Sequence, residues 1–223
     1  MSANPFDRQE LGETILNEWQ GLLNLAANLY KLPAALITRV DGNQIEIFLA
    51  NQSDDNPYPI GCTRQFPNSG WYCEHTINKA GLVSIPDANK DPKWSDCVGA
   101  VEMHMVSYIG LPIERPDGEI FGTICLLDNK AHEHNELHIK LLRQINKLIE
   151  LSLRTLFYKK EIMTRDRLLD NLSKIYPICS YCKKVCDEKK NWISIEDYVE
   201  QISGNKASHG VCPSCINKVI EEE

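Results

Sequence analysis

The residues with the most chemical potential in this chain are its nine cysteines. Cys179-Ser180-Tyr181-Cys182 and Cys212-Pro213-Ser214-Cys215 are two C-x2-C pairs with 29 residues between them. Two such pairs supply four thiolates on knuckles whose backbone N–H groups also stabilise sulfur, a donor set that suits tetrahedral Zn²⁺. A closed site of four thiolates leaves no open position for substrate, so the zinc is expected to be structural. Its physical reason is size: residues 177–223 alone bury too little surface to fold, and a metal supplies the missing free energy. Cys186 and His209 are spare donors that could replace one of the four or stand behind them. An iron–sulfur cluster could also use four cysteines, although the paired knuckles favour zinc. A thioredoxin-type redox pair would need a βαβ context, which the pattern lacks.

Elements must hold these pairs and the cysteines upstream. Ile15, Trp19, Leu22, Ala26 and Leu29 recur at steps of three and four, which predicts an amphipathic helix over 13–31, ended by Pro33. Two β-branched runs, 34–40 and 45–50, flank Asp41-Gly42-Asn43-Gln44 and read as a hairpin. Most of 51–70 reads as loop, followed by a short helix over 71–79 and a short strand over 82–85. A second hairpin, 104–114 with 119–127, turns at Pro116-Asp117-Gly118. Its strands alternate weakly, so both faces should be covered. From Glu133 to about Ile175 there is no Pro or Gly, which predicts one long helix or two end to end. Leu141, Ile145, Leu148, Ser152 and Thr155 trace one stripe of it, and Leu142, Ile149, Leu153 and Leu156 a second, a surface wide enough for its own domain and then a partner. In the tail, 183–193 can form a hairpin and 194–202 a helix, with the second knuckle opening a helix over 216–220.

Composition narrows the classes. Twenty-four Lys and Arg against 31 Asp and Glu give a formal charge of −7, and the basic residues form no dense block, so nucleic acid is not the expected partner. No apolar run approaches the roughly 20 residues of a membrane span, and Met1 to Pro5 lacks the basic and apolar regions of a signal peptide. The expected location is therefore cytoplasmic, with no membrane contact. An odd number of cysteines in a reducing compartment argues against a disulfide framework.

The order helix, hairpin, loop with short helix, hairpin, long helix is an α+β arrangement: an antiparallel sheet with helices on one face and a loop layer on the other. Five stretches in this order resemble a GAF domain of bacterial signalling proteins: Trp71-Tyr72-Cys73-Glu74-His75-Thr76-Ile77, Val83-Ser84-Ile85-Pro86-Asp87-Ala88, Asp91-Pro92-Lys93-Trp94, Ser107 to Ile113, and Asp117 to Asp128. The resemblance covers about residues 13–157. It implies a sensory or dimerising module with any small-molecule ligand held between sheet and loop layer, and by position it points to Trp71, Cys73, Asp87, Trp94, Ser107 and Tyr108. Each also has a structural reading: the tryptophans as core plugs, Cys73 and Cys125 as small buried hydrophobes, Asp87 as a cap. The tail, with Pro177 to Lys184, Trp192, Tyr198 and Ser208 to Pro213, is similar to a short element that follows GAF, PAS and receiver domains in bacteria, and its knuckle, hairpin and knuckle resemble a treble-clef zinc finger.

Among GAF-like proteins the free methionine sulfoxide reductases act through cysteines, and Cys62, Cys73 and Cys97 occupy comparable stretches. In that family, carboxylates hold the amino group of the substrate; the matching places here fall at Tyr108, Cys125 and Leu127, which cannot. The cyclic-nucleotide signature of other GAF proteins is incomplete, and no tetrapyrrole attachment pattern is present. The sequence is therefore read as a GAF-like sensory domain over 1–157, a helical linker over 158–176 and a four-cysteine zinc-binding module over 177–223. A homodimer through a coiled-coil seam on the long helix and output by contact with a signalling protein are expected. The alternatives are the thiol-dependent reductase and a ligand-free assembly protein.

Overall fold

A computed structural model describes residues 6–173, 176–213 and 215–216. The chain divides into two compact units, Met1–Ile162 and Met163–Glu223.

In the first unit, α1 (Arg8–Tyr30) starts where the Asp7 carboxylate accepts the Glu10 N–H at 2.8 Å, bends at Gly12, and ends where Lys31 turns left-handed at φ 53°. The strands β1 (Ala34–Asp41) and β2 (Gln44–Ala50) form the first expected hairpin, and β3 (Thr63–Gln65), inside a stretch expected to be mostly loop, pairs with the outer side of β2. Next come α2 (Tyr72–Lys79), β4 (Val83–Ile85), the one-turn α3 (Val98–Val101), and the hairpin of β5 (Ser107–Glu114) with β6 (Ile120–Asp128). All neighbours in the six-stranded sheet run antiparallel, in the order β3-β2-β1-β6-β5-β4. The two hairpins thus join through β1 and β6, in which Ala34 to Thr38 and Phe121 to Leu127 are buried without a break, so apolar material must lie on both faces.

One face carries α1 and the first part of α4 (Glu136–Ser173). Trp19, Phe48 and Phe121 meet there edge to face with ring centres 5.6–6.4 Å apart, a geometry worth about 0.5–1.5 kcal/mol per pair beyond area burial. Leu142, Ile149 and Leu153 are fully buried against the sheet, as the second stripe of α4 requires. The first stripe is split: Ile145 is buried with them, whereas Leu148 is half exposed. The other face carries α2 and the loops, packed on Leu36, Ile47, Cys125 and Leu127. Burial on both faces explains the weak alternation of β5 and β6.

At Gly122 the backbone of β1 passes close to β6. There β1 carries an irregularity between Ile37 and Thr38 in its pairing with β2, and a Cβ on Gly122 would lie 1.8 Å from the Thr38 carbonyl oxygen.

The second unit holds β7 (Val185–Cys186) paired with β8 (Trp192–Ile193), turned at Asp187, whose carboxylate accepts the Asn191 N–H at 2.7 Å. Then α5 (Ile195–Ser203) starts at Ser194, which accepts the Asp197 N–H at 3.0 Å, and ends at left-handed Gly204. Tyr198 of α5 is buried, with its ring 4.8 Å from that of Tyr176. The helix expected over 216–220 lies outside the described residues except for Ile216, and so do residues 174–175 of the expected long helix.

Because the Gly122 clash is with backbone, which cannot rotate away, Gly122→Ala should destabilise the first unit by at least roughly 1–3 kcal/mol. Urea unfolding followed by circular dichroism checks this.

Candidate functional site

Between α2, its preceding loop and the sheet lies a cavity lined by Trp71, Tyr72, Cys73, Tyr108, Tyr58, Leu36, Ile47, Gly99 and Leu127. Its volume open to the centre of a water-sized sphere is ≈ 10 Å³, room for about one water. The loop entering α2 is pinned by Glu74. That carboxylate accepts the Asn68 N–H at 2.8 Å, the Ser69 N–H at 2.7 Å and the Ser69 hydroxyl at 2.7 Å. Burial works against its charge, yet these donors hold the carboxyl below its ordinary range. Ser69 Oγ in turn accepts the Trp71 N–H at 3.2 Å, which fixes Trp71 at the mouth of α2. Trp71 is 4% exposed, and its indole Nε1–H has no partner within the protein.

Beneath α2 the sheet is polar in one patch. Thr38 and Thr123 face each other across β1 and β6 with their hydroxyl oxygens 2.8 Å apart. Tyr108 lies along β5 over Gly110, where a Cβ would stand 2.1 Å from the Tyr108 hydroxyl, and that hydroxyl reaches Thr76 of α2 at 2.6 Å. Cys73 of α2 comes down on this patch with its sulfur 3.6 Å from that of Cys125 on β6, both side chains buried. Hydrogen bonding to Cys125, and to the hydroxyls of Thr123, Tyr108 and Thr38, holds the Cys73 thiol below its usual value. Burial pushes the Cys125 thiol and the Tyr58, Tyr72 and Tyr108 phenols up.

Of the six residues the sequence pointed to, Trp71, Cys73 and Tyr108 line this cavity. Trp94 packs outside it, with its ring 6.2 Å from Tyr72 and 4.7 Å, edge on, from His75. Asp87 caps a turn of 3-10 helix over 88–90 by accepting the Asn89 N–H at 3.2 Å, and pairs with Lys90 at 3.2 Å. Ser107 belongs to the other face of β5, where its hydroxyl meets His134 Nε2 at 3.1 Å. Neighbours on a strand point to opposite faces, so Ser107 and Tyr108 cannot share a pocket. Cys62 is half-buried beside β3, and Cys97, at the start of α3, has its thiol pushed up by burial, the reverse of what an attacking thiolate needs. Sequence reasoning missed Tyr58 and Tyr72 in the lining and the partnership of Cys125 with Cys73; the aromatic content of 57–59 and 71–72 was the available signal.

In the second unit, Cys179 forms a knuckle: the Cys182 N–H points at the Cys179 sulfur at 3.4 Å, and the Lys183 N–H donates to the Cys179 carbonyl at 2.9 Å. Hydrogen bonds from the Cys182, Tyr181 and Lys183 N–H groups hold the Cys179 thiol below its ordinary value. Cys212 opens a helical turn, its carbonyl accepting from Cys215 and Ile216 at 2.9 and 3.0 Å. Cys186 donates to the Asp187 carbonyl at 3.8 Å, and His209 Nε2 meets Glu196 at 3.2 Å. Among the described residues, no three His, Cys, Asp or Glu side chains converge as metal ligands.

With this geometry in view, the comparisons with known proteins define the class. The sequence profile of the GAF domain matches residues 7–153, and the chain belongs to the GAF domain family. It is 24% identical over 132 residues to the diguanylate cyclase DgcP of Escherichia coli (strain K12), a match spanning 57% of this chain and 37% of that protein. The chain thus corresponds to little more than a third of the curated relative. A methyl-accepting chemotaxis protein shares the fold with a TM-score of 0.54 at 14% identity, over 68% of this chain and 94% of the other. The type II free methionine-R-sulfoxide reductase from Thermoplasma acidophilum shares it at 0.50 and 18% identity, over 66% and 96%. No helix among the described residues is long and apolar enough to cross a membrane.

His134 gives the first unit a pH dependence. Burial, and then His132 and His138, lower its pKa from 6.5 to about 4. It folds neutral while the unfolded chain takes up a proton, so this stability is complete above pH 6.5 and is lost as pH falls to about 4. Unfolding midpoints of His134→Asn should lose this part of the pH dependence relative to the unsubstituted chain.

Proposed function

We propose that this chain is a signal-transduction module that binds a small, largely apolar molecule carrying one hydrogen-bond acceptor in the α2 cavity. The observation that carries the reading is an enclosed cavity of aromatic and aliphatic surface, one of whose lining residues, Trp71, is 4% exposed and keeps its Nε1–H without a protein partner. A buried donor left unpaired costs about 1–3 kcal/mol, which a ligand acceptor would recover. A ligand larger than about one water must displace part of this lining, which α2 and the loop layer supply together with the sheet, so binding would be felt by that layer. Output would pass by protein contacts. The homodimer belongs to the same proposal: Leu25 of α1 with Leu148 and Leu151 of α4 remain exposed in one cleft, and a second copy of the same flank would cover them. A signalling protein as downstream partner and a cytoplasmic location are part of this reading.

Structural zinc in the tail is proposed with Cys179, Cys182, Cys212 and Cys215 as ligands. The support is the donor set, together with the N–H groups already aimed at the Cys179 sulfur. Bound zinc would hold the second unit folded; it would supply no open coordination position for a reaction.

Native mass spectrometry of the full chain as purified, with a thermal-shift screen of small apolar ketones and aldehydes, should find a molecule that raises Tm. Trp71→Phe, which keeps an aromatic ring and removes the donor, should weaken that binding roughly tenfold. No binder, or equal binding by the variant, refutes the ligand reading. Elemental analysis should find one zinc per chain, lost with the fold of the tail but not of the first unit in Cys212→Ser.

A further inference from the structure

Nothing in the ligand reading uses the two thiols beneath α2. They are separated by 52 positions in sequence, come from a helix and a strand, and lie 3.6 Å apart, sulfur to sulfur. Cys73 also lines the cavity, whose size admits a molecule little larger than water. Around its sulfur stand the hydroxyls of Thr38, Thr123 and Tyr108, donors that can steady negative charge in an otherwise apolar site. Structural cysteines that serve as small hydrophobes need neither a facing thiol nor a ring of hydroxyls.

We propose that Cys73 and Cys125 are a peroxide-responsive dithiol, converted by hydrogen peroxide entering the cavity into a reversible disulfide that ties α2 to β6. The Cys73 sulfur attacks one peroxide oxygen and the O–O bond breaks. The departing oxygen takes up the Cys73 proton and leaves as water, and Cys73 becomes a sulfenic acid. The Cys125 sulfur then attacks the Cys73 sulfur; the S–S bond forms, the S–O bond breaks, and hydroxide leaves with the Cys125 proton as a second water. Two thiols give up two electrons and two protons, and one peroxide becomes two waters. Of the two thiols, Cys73 is the attacking one, because it lines the cavity that peroxide would enter, whereas Cys125 stands behind it on β6, outside the lining. Size sets the oxidant: hydrogen peroxide fits a space for about one water, whereas a disulfide such as oxidised glutathione does not.

This inference deepens the sensory reading by giving the same cavity a chemical input, yet it is tested separately. The full chain is treated with excess hydrogen peroxide at neutral pH, alkylated, digested and mapped by mass spectrometry. Peptide mapping keeps the tail cysteines distinct. The expected product is a linked pair of peptides carrying Cys73 and Cys125, lighter by two hydrogens and restored by dithiothreitol. Oxidised glutathione in the same excess should leave both thiols free. In Cys125→Ala the reaction should stop at a Cys73 sulfenic acid trapped by dimedone; if that variant does not fold, the map of the unsubstituted chain decides. Cys73 remaining free, or linked to Cys62 or Cys97 instead, overturns the proposal. A ligand that raises Tm while no linked peptide forms removes the dithiol and leaves the ligand reading standing; the linked peptide without any ligand does the reverse.

Discussion

The constraint on which this fold depends is that its central strands are apolar on both faces. β1 from Ala34 to Thr38 and β6 from Phe121 to Leu127 bury every residue, so this part of the sheet cannot leave either side to water. On one side two helices solve the problem with ordinary aliphatic and aromatic packing. On the other, a single short helix and irregular loops must do so. Loops carry backbone polar groups that need partners when buried, so this layer needs internal hydrogen bonds that the helical side does not. Glu74 supplies several of them at the entry to α2. Polar chemistry therefore collects on the loop side, and that is where the cavity forms.

The same asymmetry explains why hydroxyls and thiols share one small region. Thr38, Thr123 and Cys125 project from the two middle strands toward α2, and Tyr108 reaches Thr76 along the open lane left by Gly110. Each of these groups finds a partner in the patch, so the site is satisfied apart from the Trp71 indole. A wholly aliphatic floor would pack at least as well. The chain keeps a polar one, and the dithiol proposal begins from that fact.

Much of this was legible in the sequence. Both large hairpins, the first helix, the short helix after Gly70 and the long helix are encoded in period, turn residues and Pro or Gly placement, because local signals determine them. Less legible were β3, three residues long and set by pairing with β2, and the one-turn α3. Of the candidate site, Trp71, Cys73 and Tyr108 lie together because they fall at a helix start and on one face of β5. Ser107 was separable in principle by strand period alone. The approach of Cys73 to Cys125 was not, because it depends on where a helix settles over a strand 52 positions away. Along α4, heptad counting marked Ile145 and Leu148 as one stripe, yet the sheet takes the first and leaves the second, since a stripe cannot tell which of two surfaces will claim it.

The Glu74 carboxylate closes its hydrogen bonds to residues five and six positions upstream. A ring that short holds its members together at little cost in chain entropy, whatever the rest of the sheet does. The entry loop and the first turn of α2 therefore behave as one mechanical piece, a rigid tile rather than a strap. On the proposed ligand reading, a push on Trp71 or Cys73 from inside the cavity would be carried by the whole tile, and its displacement, not the bending of a single loop, would be the quantity passed on.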